Sequence, residues 1–252
     1  PLGKEVVRSY RQFNLDMAYC YMRDSGHYDI FSDRMLVVVA SPEEKDILSG
    51  VPVGRATSVM ARIAPFLLRQ RYVPNMEVLL ETDIPEKIRQ TTLQILQNHE
   101  QIRMAAGLTP YLLNAFNNLL AERRQKNVPV ERLTELLPNL RVIFHGGTTF
   151  DLYSNAICRL TGDTIEHRNI YSAAEGPIAF QASAASTGLL PAIDQVFFEF
   201  LPVGSHTNGE FRTVLIHEIE CNIPYYILLT TQGGLLRYKI GDQVKFIQKD
   251  PP

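Results

Sequence analysis

Apolar residues fall in several distinct patterns along the chain, and each predicts its own kind of element. From Glu5 to about Arg23, Phe13, Met17 and Tyr21 recur every four residues, the spacing of one helical face. Met35 to Ala40 (MLVVVA) is a short, continuous, β-branched run bounded by Asp33-Arg34 and Ser41-Pro42, which predicts a strand buried on both faces, as in a parallel sheet. Asp83, Pro85 and Glu86 combine a capping residue, a first-turn proline and a glutamate three positions after the cap. A helix is expected to start there, with Ile88, Thr92, Ile95 and Leu96 on its inner face. Gly107 is expected to end what remains of that helical stretch before Thr109-Pro110 opens another helix, whose stripe is Leu112, Phe116, Leu119 and Leu120. Arg141 to His145 then reads as a strand entering Gly146-Gly147, followed by a helix from Phe150 to Leu160 that stops at Gly162.

From Gln195 onward the periodicity changes. QVFFEFL, RTVLIHEIE, YYILLTT and QVKFIQ read as strands separated by turn residues, with no long helical pattern between them. Helices and parallel-type strands followed by hairpin-like strands predict an α/β fold: a parallel-type β-sheet core flanked by helices, with an added antiparallel C-terminal β portion. The helix-rich part is expected over 1–194 and the mainly β part over 195–252. No Gly-, Ser- or Pro-rich linker forces a cut between them, and no fixed-period repeat is present.

Composition narrows the function classes. A chain of 252 residues with 45% apolar side chains can bury a sizeable core. The formal charge of -2, from 25 Lys and Arg against 27 Asp and Glu, gives no field to hold a polyanion, so nucleic acid is not an expected partner. No apolar run approaches the roughly 18 residues of a membrane span, and the N-terminus lacks a cationic segment followed by an apolar one; a soluble, cytoplasmic chain without a membrane partner is expected. Cys20, Cys158 and Cys221 lack CxxC spacing and read as small buried hydrophobes in a reduced compartment. The histidines show no pair at metal-ligand spacing and read as core or solvated side chains. Arg69 with Arg71, and Arg123, Arg124 with Lys126, read as solvated helix faces. The absence of a Gly-x-Ser-x-Gly elbow removes a serine hydrolase.

Three segments could carry chemistry. His145-Gly146-Gly147-Thr148-Thr149 ends a strand, where paired glycines let backbone approach a ligand at the carboxyl end of a sheet; a tight turn with Thr148 or Thr149 as helix cap explains the same letters. Tyr171-Ser172-Ala173-Ala174-Glu175-Gly176 places small residues between an aromatic ring and a carboxylate. A ring can stack on a base, amides can meet a phosphate and a carboxylate can hold Mg²⁺, whereas a helix start with a first-turn glutamate is the plain alternative. Gly233-Gly234-Leu235-Leu236-Arg237-Tyr238-Lys239-Ile240-Gly241-Asp242 sets two cations and a carboxylate beyond a hairpin turn. Asp242 could accept hydrogen bonds from a vicinal diol, or the segment could be a solvated strand end with a salt bridge.

Taken in order, with Phe198-Glu199-Phe200-Leu201-Pro202 between the second and third, these segments resemble the auxin-responsive acyl-acid amido synthetases, a branch of the acyl-adenylate-forming enzymes related to firefly luciferase. Asp83 and the Gly107-Leu108-Thr109-Pro110 break extend the resemblance along nearly the whole chain. The resemblance implies a reaction in two halves: ATP and a carboxylic acid give an acyl-adenylate and pyrophosphate, then an amine or amino acid displaces AMP. It implies ATP/AMP and Mg²⁺ as cofactors, and a small-molecule acid and amine as partners. It implies Glu175 as the Mg²⁺ and phosphate-side carboxylate and Tyr171 against the adenine. Ser172, Ala173 and Tyr238 stand beside these as nucleotide-binding positions, Gly146 and Gly147 supply backbone contacts, Asp242 holds the ribose, and Arg237 and Lys239 are nearby cations. An apolar acyl pocket is expected around Thr57, Met60 and the 110–124 helix. Two positions depart from the pattern: Ala174 stands where Ser or Thr is usual, and Lys239 stands where the motif has Arg, losing the planar fork. The triphosphate loop and the lid domain with its lysine are expected outside the chain, which alone should hold part of a nucleotide site and little turnover. A luciferase-type CoA ligase shares the first half-reaction, and a catalytically silent nucleotide- or protein-binding relative fits Ala174; the FFEFLP strand resembles the amido-synthetase branch.

Overall fold

The four-residue spacing near the N-terminus folds as helix α1 (Lys4–Ser25), which buries Val6, Tyr10, Phe13, Met17, Ala18 and Tyr21 along one stripe. The computed structural model describes residues 3–40, 45–48, 51–53, 56–128, 130–148, 152–162, 164–204 and 212–249. It divides into two units, residues 25–170 and residues 1–24 joined with 171–252.

In the unit of residues 25–170 the chain runs through β1 (Arg34–Val38), the hairpin of β2 (Lys45–Leu48) and β3 (Val51–Val53), α2 (Ala56–Ile63), α3 (Phe66–Arg69), β4 (Tyr72–Val73), α4 (Met76–Leu79), α5 (Ile84–Gln97) and β5 (Ile102–Leu108). It continues through α6 (Thr109–Gln125), α7 (Leu133–Leu136), β6 (Val142–Gly146), α8 (Ser154–Thr161) and β7 (Glu166–Ala173), which leaves the unit after Ile170. The strands line up as β4-β1-β5-β6-β7, every pair parallel. Parallel neighbours need crossovers, and α5, α6 with α7, and α8 supply them. Helices on the sheet faces explain the uninterrupted apolar strands: Leu36, Ile95, Ile102, Leu112, Phe116, Leu119 and Ile143 share one core. Asp83 caps α5 as expected, its Oδ1 accepting from the Glu86 amide at 3.2 Å.

One prediction fails in this unit. α5 ends at Gln97, and Gly107 lies within a strand, β5, not at a helix stop. Gly107 pairs with Val38 on one side and His145 on the other, and an added Cβ would stand 2.5 Å from the Val38 carbonyl oxygen. The glycine marks a close approach of strands. Helix α8 begins at Ser154 with Tyr153 as N-cap, so Thr148 is not its cap, and it ends at Gly162 with φ +63°. Thr149, Phe150 and Asp151 lie outside the described residues. Ile157 and Thr161 take its inner side, which leaves Cys158 exposed; Cys20 and Cys221 are half-buried, so the cysteines are not the buried hydrophobes expected.

The other unit adds to α1 the antiparallel pair β8 (Gly176–Phe180) and β9 (Leu190–Pro191), and the antiparallel sheet β10 (Phe197–Pro202), β11 (Pro224–Thr230) and β12 (Tyr238–Lys245). The register sets Glu199 opposite Leu228 and Leu228 opposite Lys239, so these share one face. The alternate residues Phe198, Phe200, Ile227 and Leu229 form the core with Ile178 and Tyr225. RTVLIHEIE is not a strand. Val214 alone bridges to Phe200, and Ile216–Glu218 forms a 3₁₀ turn. The Glu218 carboxylate accepts the Leu215 amide at 2.8 Å, a local bond that takes a donor a ladder would have used.

Candidate functional site

The segment from Tyr171 to Gly176 is a hairpin corner, not a helix start. Tyr171, Ser172 and Ala173 end β7, Ala174 and Glu175 make the turn, and Gly176 begins β8. From this corner the Tyr171 hydroxyl donates to Asp242 Oδ2 on β12, 71 positions further along the chain. Burial, that hydrogen bond, and the negative charges of Asp242 and Glu175 together push the Tyr171 phenol well above its usual pKa. Glu175 and Asp242 therefore act on one hydroxyl, and the residues that the sequence names from separate motifs converge in the unit formed by residues 1–24 and 171–252. Ser172 is exposed, while Ala173 is half-buried and gives its carbonyl oxygen to the hydroxyl of Tyr10 from α1.

A cavity of about 610 Å³ opens beside Tyr171. Its walls include Ile178, Phe198, Phe200, Ile227 and Val244, so it is mostly hydrocarbon, and its volume falls in the range of small-molecule pockets. It belongs to this unit alone. The inner stripe expected on α6 is packed as core, with Leu112, Phe116 and Leu119 fully buried.

The cations of the third segment have other partners. Arg237 has a left-handed backbone, φ +48°, and its Nε donates to Glu199 Oε2 at 2.9 Å while a terminal nitrogen donates to Thr213 Oγ1 at 3.1 Å. Thr213 in turn donates to Glu199 Oε1 at 2.7 Å, closing a ring of hydrogen bonds. Lys239 Nζ lies 3.7 Å from the centre of the Tyr226 ring, a cation–π contact. Tyr238 is exposed.

Gly146 and Gly147 lie in the unit of residues 25–170, where packing accounts for both. A Cβ on Gly146 would collide with the Ile170 carbonyl oxygen, and one on Gly147, at φ +82°, would collide with Leu108. Beside them His145 is 1% exposed, its pKa lowered to about 4 by burial and by His167, whose own value burial lowers to about 4. The rings lie 5.9 Å apart, and Thr161 Oγ1 stands 3.1 Å from His167 Nε2. His145 is a core histidine, and His167 is half-buried. Among the described residues no group of three or more His, Cys, Asp or Glu could hold a metal ion. A lone carboxylate such as that of Glu175 can serve as an Mg²⁺ ligand only where substrate phosphates and water complete the shell.

The outer strands carry the decisive likeness. Residues 189–251 match the GH3 family central domain. That match takes in Phe198–Pro202 and the Gly233–Asp242 segment, two of the segments on which the resemblance rests. Over 98% of its length the chain is similar to a solved GH3.15 acyl acid amido synthetase in complex with 2,4-DB, at 13% identity and a TM-score of 0.78, covering 51% of that chain. A second GH3.15 acyl acid amido synthetase structure matches over 97% at 14% identity and TM-score 0.73, again covering 51%. Apo MatB from Rhodopseudomonas palustris matches over 97% at 11% identity and TM-score 0.52, covering 42% of that chain. The chain spans about half the length of the GH3 structures it matches, and at these identities the likeness establishes a shared fold. No helix among the described residues is long and apolar enough to cross a membrane.

Proposed function

We propose that this chain is the nucleotide-binding part of an ATP-dependent acyl-acid amido synthetase, and that the whole enzyme adenylates a small carboxylic acid and passes the acyl group to an amine or amino acid with release of AMP. The observation that carries the proposal is the hydrogen bond that joins Tyr171 of the second motif to Asp242 of the third. Tyr171, half-buried against the core and held by its hydroxyl, would stack on adenine. Asp242 spends one oxygen on Tyr171 and keeps the other for the ribose hydroxyls. Glu175 would hold Mg²⁺, which supplies charge neutralisation at the phosphates. A carboxylate cannot expel oxide, whereas an acyl-adenylate expels AMP, a stable anion; the chain's task is to orient the nucleotide for that exchange. The GH3 central-domain segment and the fold shared with acyl acid amido synthetases support this assignment.

Saturating AMP should raise the melting temperature of the chain. Asp242→Ala should weaken AMP binding by about 10- to 100-fold in calorimetry, the scale of a charged hydrogen-bonding partner lost. An unmoved melting temperature in the wild-type chain would falsify the nucleotide site. A second possibility, a catalytically silent nucleotide binder, is favoured by Ala174 in place of a hydroxyl and by the engagement of Arg237 and Lys239 elsewhere. Acid-dependent ATP–pyrophosphate exchange by the longer protein separates the two: exchange supports the synthetase, and its absence over a broad acid panel supports the silent binder.

A further inference from the structure

The buried hydroxyl of Tyr10 needs an acceptor, and the one it finds lies next to the turn that carries Glu175. The Tyr10 ring lies in the buried stripe of α1, only 6% exposed, and its hydroxyl donates to the carbonyl oxygen of Ala173, the last residue of β7 before the Ala174–Glu175 turn. The helix that carries it is fixed independently. The Phe13 ring meets Phe180 of β8 edge-on at 5.4 Å, and Asp16 accepts from the Gln195 side-chain amide at 2.9 Å. α1 is thus tied both to the strand after the turn and to the approach to β10, and Tyr10 passes that anchorage to the turn itself. Glu175 has no fixed partner of its own: among the described residues no hydrogen bond or ion pair engages its carboxylate. The point from which its side chain leaves the turn is set by the backbone on either side, at Ala173 and at Gly176. Burial and the nearby charge of Glu175 both raise the Tyr10 phenol above its usual pKa.

We propose that Tyr10 is a positioning residue for Glu175: by pinning the Ala173 carbonyl from α1, its hydroxyl fixes the corner that aims the Glu175 carboxylate at a nucleotide-bound divalent cation. The proposal rests on the nucleotide site assigned above and adds to it a residue from outside the three motifs. It makes a specific demand. Loosening the corner spoils the metal contact, whereas ribose binding through Asp242, which sits on a different strand, is untouched.

The test is calorimetric titration of the chain with ATP over a series of Mg²⁺ concentrations, together with metal-free titration with AMP. Tyr10→Phe should raise the Mg²⁺ concentration for half-maximal ATP binding by about tenfold, the usual effect of removing a group that orients a metal ligand. Its metal-free AMP affinity should stay within about twofold of the wild type. Glu175→Gln should remove the Mg²⁺ dependence. Phe13→Leu, which loosens α1 through lost ring contact with Phe180, serves as the packing control and should leave the Mg²⁺ midpoint in place. A Tyr10→Phe midpoint equal to the wild-type one, with Glu175→Gln shifted, overturns the role of Tyr10 while sparing the nucleotide site. A Phe13→Leu shift as large as that of Tyr10→Phe also overturns it, since general loosening of α1 then explains both. A wild-type chain that binds neither nucleotide removes the site and this inference together.

Discussion

Burying His145 against His167 favours the neutral imidazole over the imidazolium, because the charged form loses its water and meets a second ring that could also protonate. The folded pKa lies near 4, below the unfolded value of about 6.5, so between those values the unfolded chain binds more protons. The stabilisation is fully present above the unfolded value and is lost as pH falls toward about 4, roughly 3 kcal/mol for His145 if titrated completely. Urea unfolding followed from pH 7.5 to 4.5 should show this decline, and His145→Gln should make it shallower while leaving the share of His167; an identical slope in the variant assigns the decline elsewhere. At this scale the short segments that hold Tyr171 and Asp242 stood out by residue type, and the structure joins the two side chains by a hydrogen bond. Tyr10 did not stand out. Its partner is a backbone carbonyl 163 positions away, and a periodic apolar pattern registers the ring of a tyrosine but says nothing about its hydroxyl. The cations misled in the opposite sense. Arg237 and Lys239 adjoin the motif aspartate in sequence, but cross-strand register hands them to Glu199 and Tyr226.

Elements follow their local signals where those signals are unambiguous. α5 begins where Asp83 caps it and α6 where Thr109-Pro110 opens it, because both termini carry their own chemistry. β5 escaped notice because IRMAAGL is poor in β-branched residues and its glycine resembles a helix stop. Only the neighbouring strand reveals the reason for that glycine. Gly107→Ala would drive a methyl into the Val38 carbonyl and should cost about 1–3 kcal/mol, read as a lowered thermal midpoint. Asp83→Ala, which removes the cap on α5 and touches no core contact, should cost about 1 kcal/mol. The order of the two effects matters: a larger loss at Asp83 than at Gly107 would mean that strand approach is not the constraint on β5. The segment RTVLIHEIE shows the reverse error, an apolar run read as a strand whose Leu215 amide is captured locally by Glu218 before a ladder can use it.

At the scale of the molecule, the alternation of helices with continuous apolar strands made the parallel sheet legible, and the late change of periodicity made the antiparallel sheet legible. The pairing of α1 with the C-terminal strands was not, since it joins segments more than a hundred residues apart, and no local pattern encodes a contact at that separation. This discontinuity has a consequence for folding. Residues 25–170 contain every pairing of the β4-β1-β5-β6-β7 ladder, up to Gly146 opposite Ile170, and the core that α5, α6 and α7 lay upon it. Residues 171–252 lack α1, and with it the Phe13 ring against Phe180, the Tyr10 donor to Ala173 and the Asp16 acceptor for Gln195. Expressed alone, 25–170 should therefore unfold in a single cooperative transition by far-ultraviolet circular dichroism. By the same test 171–252 should give no cooperative transition until a peptide spanning 1–24 is added. Cooperative folding of 171–252 without that peptide would show that the strands need no helix, and that α1 contributes orientation to the Glu175 corner but not the stability of the unit.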